Sequence, residues 1–342
     1  MRPRARGAAG LPAALALLAV STALGAALLE LTHTQAVLAR TRRNTALALA
    51  AADGCLATVV ARLPAGWSFA DVLAGPDGMS GTSDDGTVVA DGDCLVDARV
   101  APHPARLLLD VDAVVGGGRR MLSATVTRAT EPGAPALVWL ARPTPPASIG
   151  GLLVLDGVDV DDSARPAVAS IAGPGDPASL DAWIAAQGGH VERTTPDAAP
   201  RFSPPPPLAE LAARAVAAGA APGGTFVATP PAPAMLTRVP ADLVVATPLV
   251  GAGLLIVEGR LDIMASFEFS GVVVAAGGVR VAEGARLVVR GGLWLGPSDP
   301  AAPLLEVEGD VTVQASADAV AVADDLLPLP RRARVGGISD PG

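Results

Sequence analysis

Between Arg6 and Glu30 the chain carries no charged residue, a run of about 23 positions that is long enough to cross a bilayer as a helix. Beyond Glu30 the apolar positions thin to one side instead of stopping. Leu28, Leu31, Gln35, Leu38, Arg42, Ala46 and Leu49 continue at helical spacing, with no Pro before Pro64 and Gly54 as a tolerated interruption. The pattern predicts one helix of about 50 residues, apolar in its first half and amphipathic in its second, about 75 Å long at the α-helical rise.

From Thr87 the period changes from helical to two. The runs CLVDARV, ARLLLDVDAVV, MLSATVTRA and ALVWLAR alternate apolar and polar positions and are separated by Gly or Pro, which predicts an antiparallel meander up to Arg142. A linker follows at Ala141 to Gly151. Then come a strand with a glycine corner, Leu152 to Asp162, and a polar helix candidate, ASLDAWIAAQ. Proline is dense from Thr194 to Pro240, so Leu208 to Ala218 reads as one short helix between extended segments.

The last third repeats a short apolar run, a glycine and a second apolar run. LLIVEGRLDI, VVVAAGGVRV, RLVVRGGLWL and LLEVEGDVTV place Gly259, Gly278, Gly292 and Gly309 as corners, and LLVLDGVDVD adds a candidate rung at Gly157. Units of that size suggest the stacked coils of a parallel β-solenoid, in which each coil buries its apolar face only against its neighbours. An antiparallel sandwich has the same hydrophobic pattern, and both pairings stay open at this point.

Composition narrows the function. Tyr is absent and aromatic residues make up 3% of the 342, so the cores are built from Val, Leu, Ile and Ala. A net charge of -9 with no basic patch outside Arg2, Arg4 and Arg6 argues against a nucleic-acid partner. The two cysteines, Cys55 on the helix and Cys94 at the first long strand, suit a disulfide in an exported domain, stapling helix to sheet. His33, His103 and His190 stand alone, so a zinc site has no ligand set. The turn-rich stretch Gly66 to Cys94 crowds Asp77, Asp84, Asp85, Asp91 and Asp93 among glycines. Carboxylates at that density either hold Ca²⁺ or solvate a loop, and their spacing does not match an EF-hand loop.

The N-terminus admits two fates. A secretory signal with its small residues Ala23, Leu24 and Gly25 is cut near Ala26. Alternatively the apolar helix is kept. The second fate is favoured by a resemblance: a basic leader ending in Gly, an apolar helix, then Arg40, Arg42, Asn44, Ala46, Ala51, Ala52, Asp53 and Leu56 resemble the N-terminus of type IV pilins, in particular the PilX-type minor pilins. The resemblance implies cleavage between Gly7 and Ala8 by a prepilin peptidase, with the helix retained. It departs from major pilins at Pro12, where those carry a glutamate, which argues against a main filament subunit. The hairpin LDVDAVVGGGRRMLSATVTR is similar to the sheet that follows the pilin helix. The segment Gly253 to Gly296, with Phe267 and Phe269, resembles a solenoid-like region of some large PilX-type proteins.

The expected fold is therefore α+β: a long N-terminal transmembrane or spine helix packed on an antiparallel β-sheet, followed by a parallel β-solenoid. The expected boundaries are a leader at 1–7, helix at 8–64, α+β part at 65–143, linker region at 144–240, solenoid at 241–327 and a disordered tail at 328–342. The resemblance implies a membrane-anchored pilus or pseudopilus component whose partners are other pilins, the assembly machinery and the membrane, with the bulk of the chain outside the inner membrane, at a filament tip for initiation or adhesion. The alternative is an exported solenoid adhesin or carbohydrate-binding protein with an ordinary signal. No enzyme motif is present. Asp262, Glu268, Glu283 and Glu306, the carboxylates a solenoid hydrolase would use, fall at outward or turn positions, where a solvated charge is the default.

Overall fold

The computed structural model describes residues 10–63, 65–88, 94–101, 106–129, 136–141, 147–165, 167–172, 185–186, 188, 190–192, 208–223, 226–296 and 303–340. The first helix, α1 (Gly10–Arg62), is continuous. Ala48, Ala52, Leu56, Val59 and Leu63 recur every three or four positions and are buried, so one stripe of its C-terminal half faces the protein. A four-residue helix, α2 (Ala70–Leu73), follows. Strands β1 (Thr87–Val88), β2 (Cys94–Val100), β3 (Arg106–Val115) and β4 (Gly118–Arg128) then pair in sequence as an antiparallel sheet. Leu107, Leu109, Val111 and Ala113 of β3 alternate inward and meet Leu122, Ala124 and Val126 of β4 beneath α1. The β3–β4 turn uses Gly116 and Gly117, both at positive φ, and the Gly116 carbonyl accepts a hydrogen bond from the Asn44 side chain. That contact marks where the sheet begins on the helix.

The run ALVWL, expected as the last strand of this meander, belongs elsewhere. As β5 (Ala136–Leu140) it is buried on both faces and pairs in parallel with strands of the solenoid. β6 (Ala147–Ile149), β7 (Leu152–Asp156), β8 (Ala169–Ala172) and β9 (His190–Glu192) are also solenoid strands, and the amphipathic helix α3 (Leu208–Ala217) follows. Next come β10 (Ala221–Pro222), β11 (Ala234–Val239), β12 (Leu243–Val245), β13 (Leu249–Val257), β14 (Leu261–Ile263), β15 (Ser266–Ala275), β16 (Val279–Val281), β17 (Arg286–Leu295), β18 (Leu305–Val307) and β19 (Asp310–Gln314). All pair in parallel, the odd-numbered strands β11 to β19 in a large sheet and the even-numbered β12 to β18 in a small one. The helix α4 (Ala317–Leu326) and the strand β20 (Ala333–Ser339) end the described chain.

The segment expected as a disordered tail is therefore a strand: β20 pairs antiparallel with β4. β4 would otherwise offer an open row of amides and carbonyls along that edge, and the last strand satisfies them. The solenoid is an insertion between two neighbouring strands of one antiparallel sheet. Its limits also exceed the expected 241–327, because the first half of β17 pairs with β19 and its second half with β5, while β18 pairs with β6 and β19 with β7. One coil is thus assembled from two pieces of chain that are distant in sequence. The polar helix candidate ASLDAWIAAQ lies, apart from Ala185 and Ala186, outside the described residues, as do residues 193–207, where the proline-rich stretch begins, and the linker residues 142–146.

Inside the coils, Leu255, Val257, Val273, Ala275, Leu293 and Leu295 of the large sheet meet Leu261, Ile263, Val279, Val281, Leu305 and Val307 of the small one. The opposite face of the large sheet carries Ile256, Val274, Trp294 and Trp139 in a row, and α3 and α4 help cover it. The strands bend at Gly253, Gly271 and Gly291, which are lateral neighbours with φ of 99°, 141° and 132°. A Cβ on Gly271 would fall 1.8 Å from the Gly253 carbonyl oxygen, so the stacked corner admits only glycine. Of the expected corners, Gly259 and Gly309 lie between strands, whereas Gly292 lies inside β17 opposite Val272.

Candidate assembly surface on the long helix

Upstream of Asn44, α1 has no buried residue among those described. Leu15, Leu17, Leu18, Val20, Leu24, Leu28, Leu29 and Leu31 are all more than half exposed, and the most apolar window of the helix has a mean hydropathy of 2.0 with no share of it buried. The free part projects about 50 Å beyond the sheet at 1.5 Å per residue. By length and composition it is able to span a bilayer. The hydroxyls of Ser21 and Thr22 donate to the carbonyls of Leu17 and Leu18, so they add no unpaired polar group to the apolar surface. An uncovered apolar area of this extent needs lipid or other helices around it.

The eight positions of the pilin-like pattern divide between surface and core. Arg40, Arg42, Ala46 and Asp53 are exposed, Asn44 holds the β3–β4 turn, Ala51 is half-buried, and Ala52 and Leu56 are buried against the sheet. Gly7 and Ala8 lie outside the described residues. Cys55 is bonded to Cys94 across a Cα separation of 6.7 Å, which ties the helix to the first residue of β2.

In the acidic loop each described aspartate is engaged by the loop itself. Asp77 accepts from the Met79 amide at 2.8 Å, Asp84 from the Thr82 hydroxyl at 2.8 Å and the Asp77 amide at 3.2 Å, and Asp85 from the Gly81 amide at 2.7 Å. The Thr82 hydroxyl, with the amide of Asp77, holds the Asp84 carboxyl below the usual carboxylate range. Among the described residues no three metal-ligating side chains converge, and Asp91 and Asp93 lie outside them.

The four carboxylates of the solenoid do not meet. Asp262 and Glu306 stand on the outer face of the small sheet in ion pairs with Arg260 and Arg280. Glu268 stands on the outer face of the large sheet, and Glu283 is an exposed turn residue. His33 is on the free helix, His190 is in β9, and His103 is outside the described residues.

A further cluster, not anticipated from the sequence, lies after β7, where the pattern of DGVDVDD predicts only the end of a strand. Asp159, 5% exposed, accepts from Arg165 at 2.9 Å and from the Asp161 and Ala317 amides. The Ser316 hydroxyl donates to Asp161 and, as the cap of α4, accepts from the Ala319 amide. Burial pushes the Asp159 carboxyl up, and the bonds from Arg165 and the two amides outweigh it, leaving the group below its ordinary range. The signal that would have found this site is Asp at every second or third position followed by Arg, which suits a turn capped by its own side chains.

No family model matches the sequence, and no curated protein matches it. Among solved structures, the crystal structure of the competence-associated pilin ComZ from Thermus thermophilus overlaps 88% of this chain and 97% of its own, at 12% identity and a TM-score of 0.26. An overlap at that level carries no weight for a shared role, which has to be argued from the geometry of the chain itself.

Proposed function

We propose that the chain is a pilin-like structural subunit. It is anchored in a membrane by the free half of α1, and its sheet and solenoid are displayed on the far side. One observation carries this reading: a single unbroken helix buries one stripe in the protein from Ala48 onward, is uncovered before Asn44, and is apolar up to Leu29. A disposable signal has no reason to be continuous with the core helix of the domain it exports. In this reading the free half first sits in the bilayer and then packs against the same helices of neighbouring subunits, where the small residues Ala19, Ala23 and Gly25 let backbones approach closely. Pro12, in place of the glutamate of major pilins, favours a minor position such as a tip.

The test is the mature N-terminus, determined by mass spectrometry on protein recovered from membranes. A chain beginning at Ala8, particularly an N-methylated one, supports the assembly role and the Gly7–Ala8 processing site. A chain beginning near Ala26 removes the apolar half of the helix and rejects the proposal in favour of an exported solenoid.

A further inference from the structure

One part of the large sheet's outer face treats its charges differently from the outer face of the small sheet. On the small sheet, Arg260, Asp262, Arg280, Glu306 and Glu308 neutralise one another across the rungs in a chain of ion pairs. On the large sheet Arg238 pairs with Glu258 at 2.6 Å, whereas ahead of the glycine corner Glu268, Ser270 and Arg290 form no side-chain hydrogen bond or ion pair among the described residues. These three side chains line one cleft of about 420 Å³. Val250 and Val288 form its apolar floor, and Pro230 forms its wall. The volume lies within the range of small-molecule sites. A cleft of that size with one free anion, one free cation and an apolar floor is complementary to a small molecule that carries both charges.

The spacing selects the length of that molecule. Ser270 and Arg290 are lateral neighbours on adjacent rungs, and Glu268 precedes Ser270 by two positions on the same strand. Glu268 and Arg290 are therefore about 8 Å apart at their Cα atoms, from two strand steps and one rung. The charges of a free amino acid sit on one carbon and are too close together to reach both side chains. The termini of an extended dipeptide are about 7 Å apart.

We infer that this cleft binds a short peptide with free termini, of dipeptide length and with small side chains. Its ammonium group lies on Glu268, its carboxylate on Arg290, and the Ser270 hydroxyl bonds the central amide. The cleft is independent of how the N-terminus is processed, because every residue in it belongs to the solenoid.

Isothermal titration of the full chain in detergent with alanyl-alanine tests it, beside N-acetylated alanyl-alanine, the C-terminal amide of alanyl-alanine, and free alanine. The expected result is binding by alanyl-alanine that weakens by about tenfold or more in Glu268→Gln and in Arg290→Gln. The acetylated peptide is then insensitive to Glu268→Gln and the amide insensitive to Arg290→Gln. Both side chains reach the surface, and an unchanged melting temperature shows that the variants are folded. Peptide binding is overturned if alanyl-alanine gives no binding heat at millimolar concentration, if neither variant changes the affinity, or if free alanine binds as tightly as the dipeptide.

Discussion

The helix–sheet unit and the solenoid solve the burial problem with different connectivity. In the solenoid, the coils from β11 to β18 each lie beside the next in sequence, and each buries Val, Leu and Ile against the coil before it. In the helix–sheet unit, α1, β2, β3 and β4 are local, but the edge of the sheet is closed by β20, which comes after the entire solenoid. Even the solenoid contains one such join, where β5 and β19 supply parts of the same coil. The difference teaches that the contacts between the two units gather at one junction. There, Trp67 donates to the Pro328 carbonyl at 3.1 Å, Arg128 donates to the Arg331 carbonyl at 3.3 Å, and Arg331 pairs with Asp324 at 2.7 Å. Both units are expected to hold together by themselves and to be coupled through these few residues.

The largest effect is expected from Gly271→Val. The new side chain meets the Gly253 backbone at 1.8 Å, positive φ is lost to a β-branched residue, and no flexible side chain is available to yield. The solenoid should lose more than about 4 kcal/mol and become protease-sensitive over β11 to β19, while the disulfide-linked helix and meander stay resistant. Loss of both units together would mean that the junction, and not nearest-neighbour stacking, sets the stability of the chain.

The mirror-image change is Cys94→Ser. The bond closes a loop with a sequence separation of 39, for which chain-entropy arguments give about 4 kcal/mol. That loss should appear in the helix–sheet unit alone. Trp139 and Trp294, packed edge to face on the outer face of the large sheet, provide a fluorescence signal for one unit, and far-ultraviolet helicity, dominated by α1, reports the other. In denaturant the helicity transition should move to lower concentration while the solenoid component of the tryptophan emission stays in place.

Smaller again is removal of β20 by ending the chain after Arg332. Val335 and Ile338 are 40% and 54% exposed, so little apolar burial is lost. What appears is the unpaired edge of β4. The expected phenotype is a modest fall in melting temperature with concentration-dependent self-association, read by analytical ultracentrifugation.

These cases also explain what the sequence made legible. The helix and the meander were readable because their periods, 3.6 and 2, are set by one apolar face against one core. β5 was not, because ALVWL is buried on both faces and a continuous apolar run fits any interior strand. β20 was not, because ARVGGIS has two glycines and almost no buried side chain, so nothing in its pattern separates an edge strand from a tail. The corner glycines were half legible. The repeating Gly in RLVVRGGLWL suggested a corner between two strands, yet Arg286–Leu295 is one strand bent at Gly291, and the stacked row is Gly253, Gly271 and Gly291. Register across rungs, which defines that row, is a property of pairing and is not written in any single repeat. The apolar helix surface was legible from charge spacing alone, whereas the Glu268–Arg290 cleft depends on which rung lies beside which.

The finest test of the comparison is the latch at the far end of the solenoid, where Asp159 joins the loop after β7 to the first turn of α4. Because α4 leads into β20, this carboxylate stabilises the path by which one unit closes the other. Its folded pKa is lowered, so its contribution is fully present above the ordinary carboxylate value of about 3.9 and is lost as pH falls below it. Asp159→Asn keeps the size but removes the charge that Arg165 and the Ala317 amide bind, and should cost about 1 to 2 kcal/mol near neutral pH. Thermal melts of the two proteins should therefore differ at pH 7 and converge in acid, once the pH has fallen through the lowered value at which the native group is protonated too. A gap that persists unchanged into acid would assign the effect to packing instead of charge. A gap seen by tryptophan fluorescence but not by helicity would place the latch within the solenoid and leave the junction residues Trp67, Arg128 and Arg331 as the coupling between the two units.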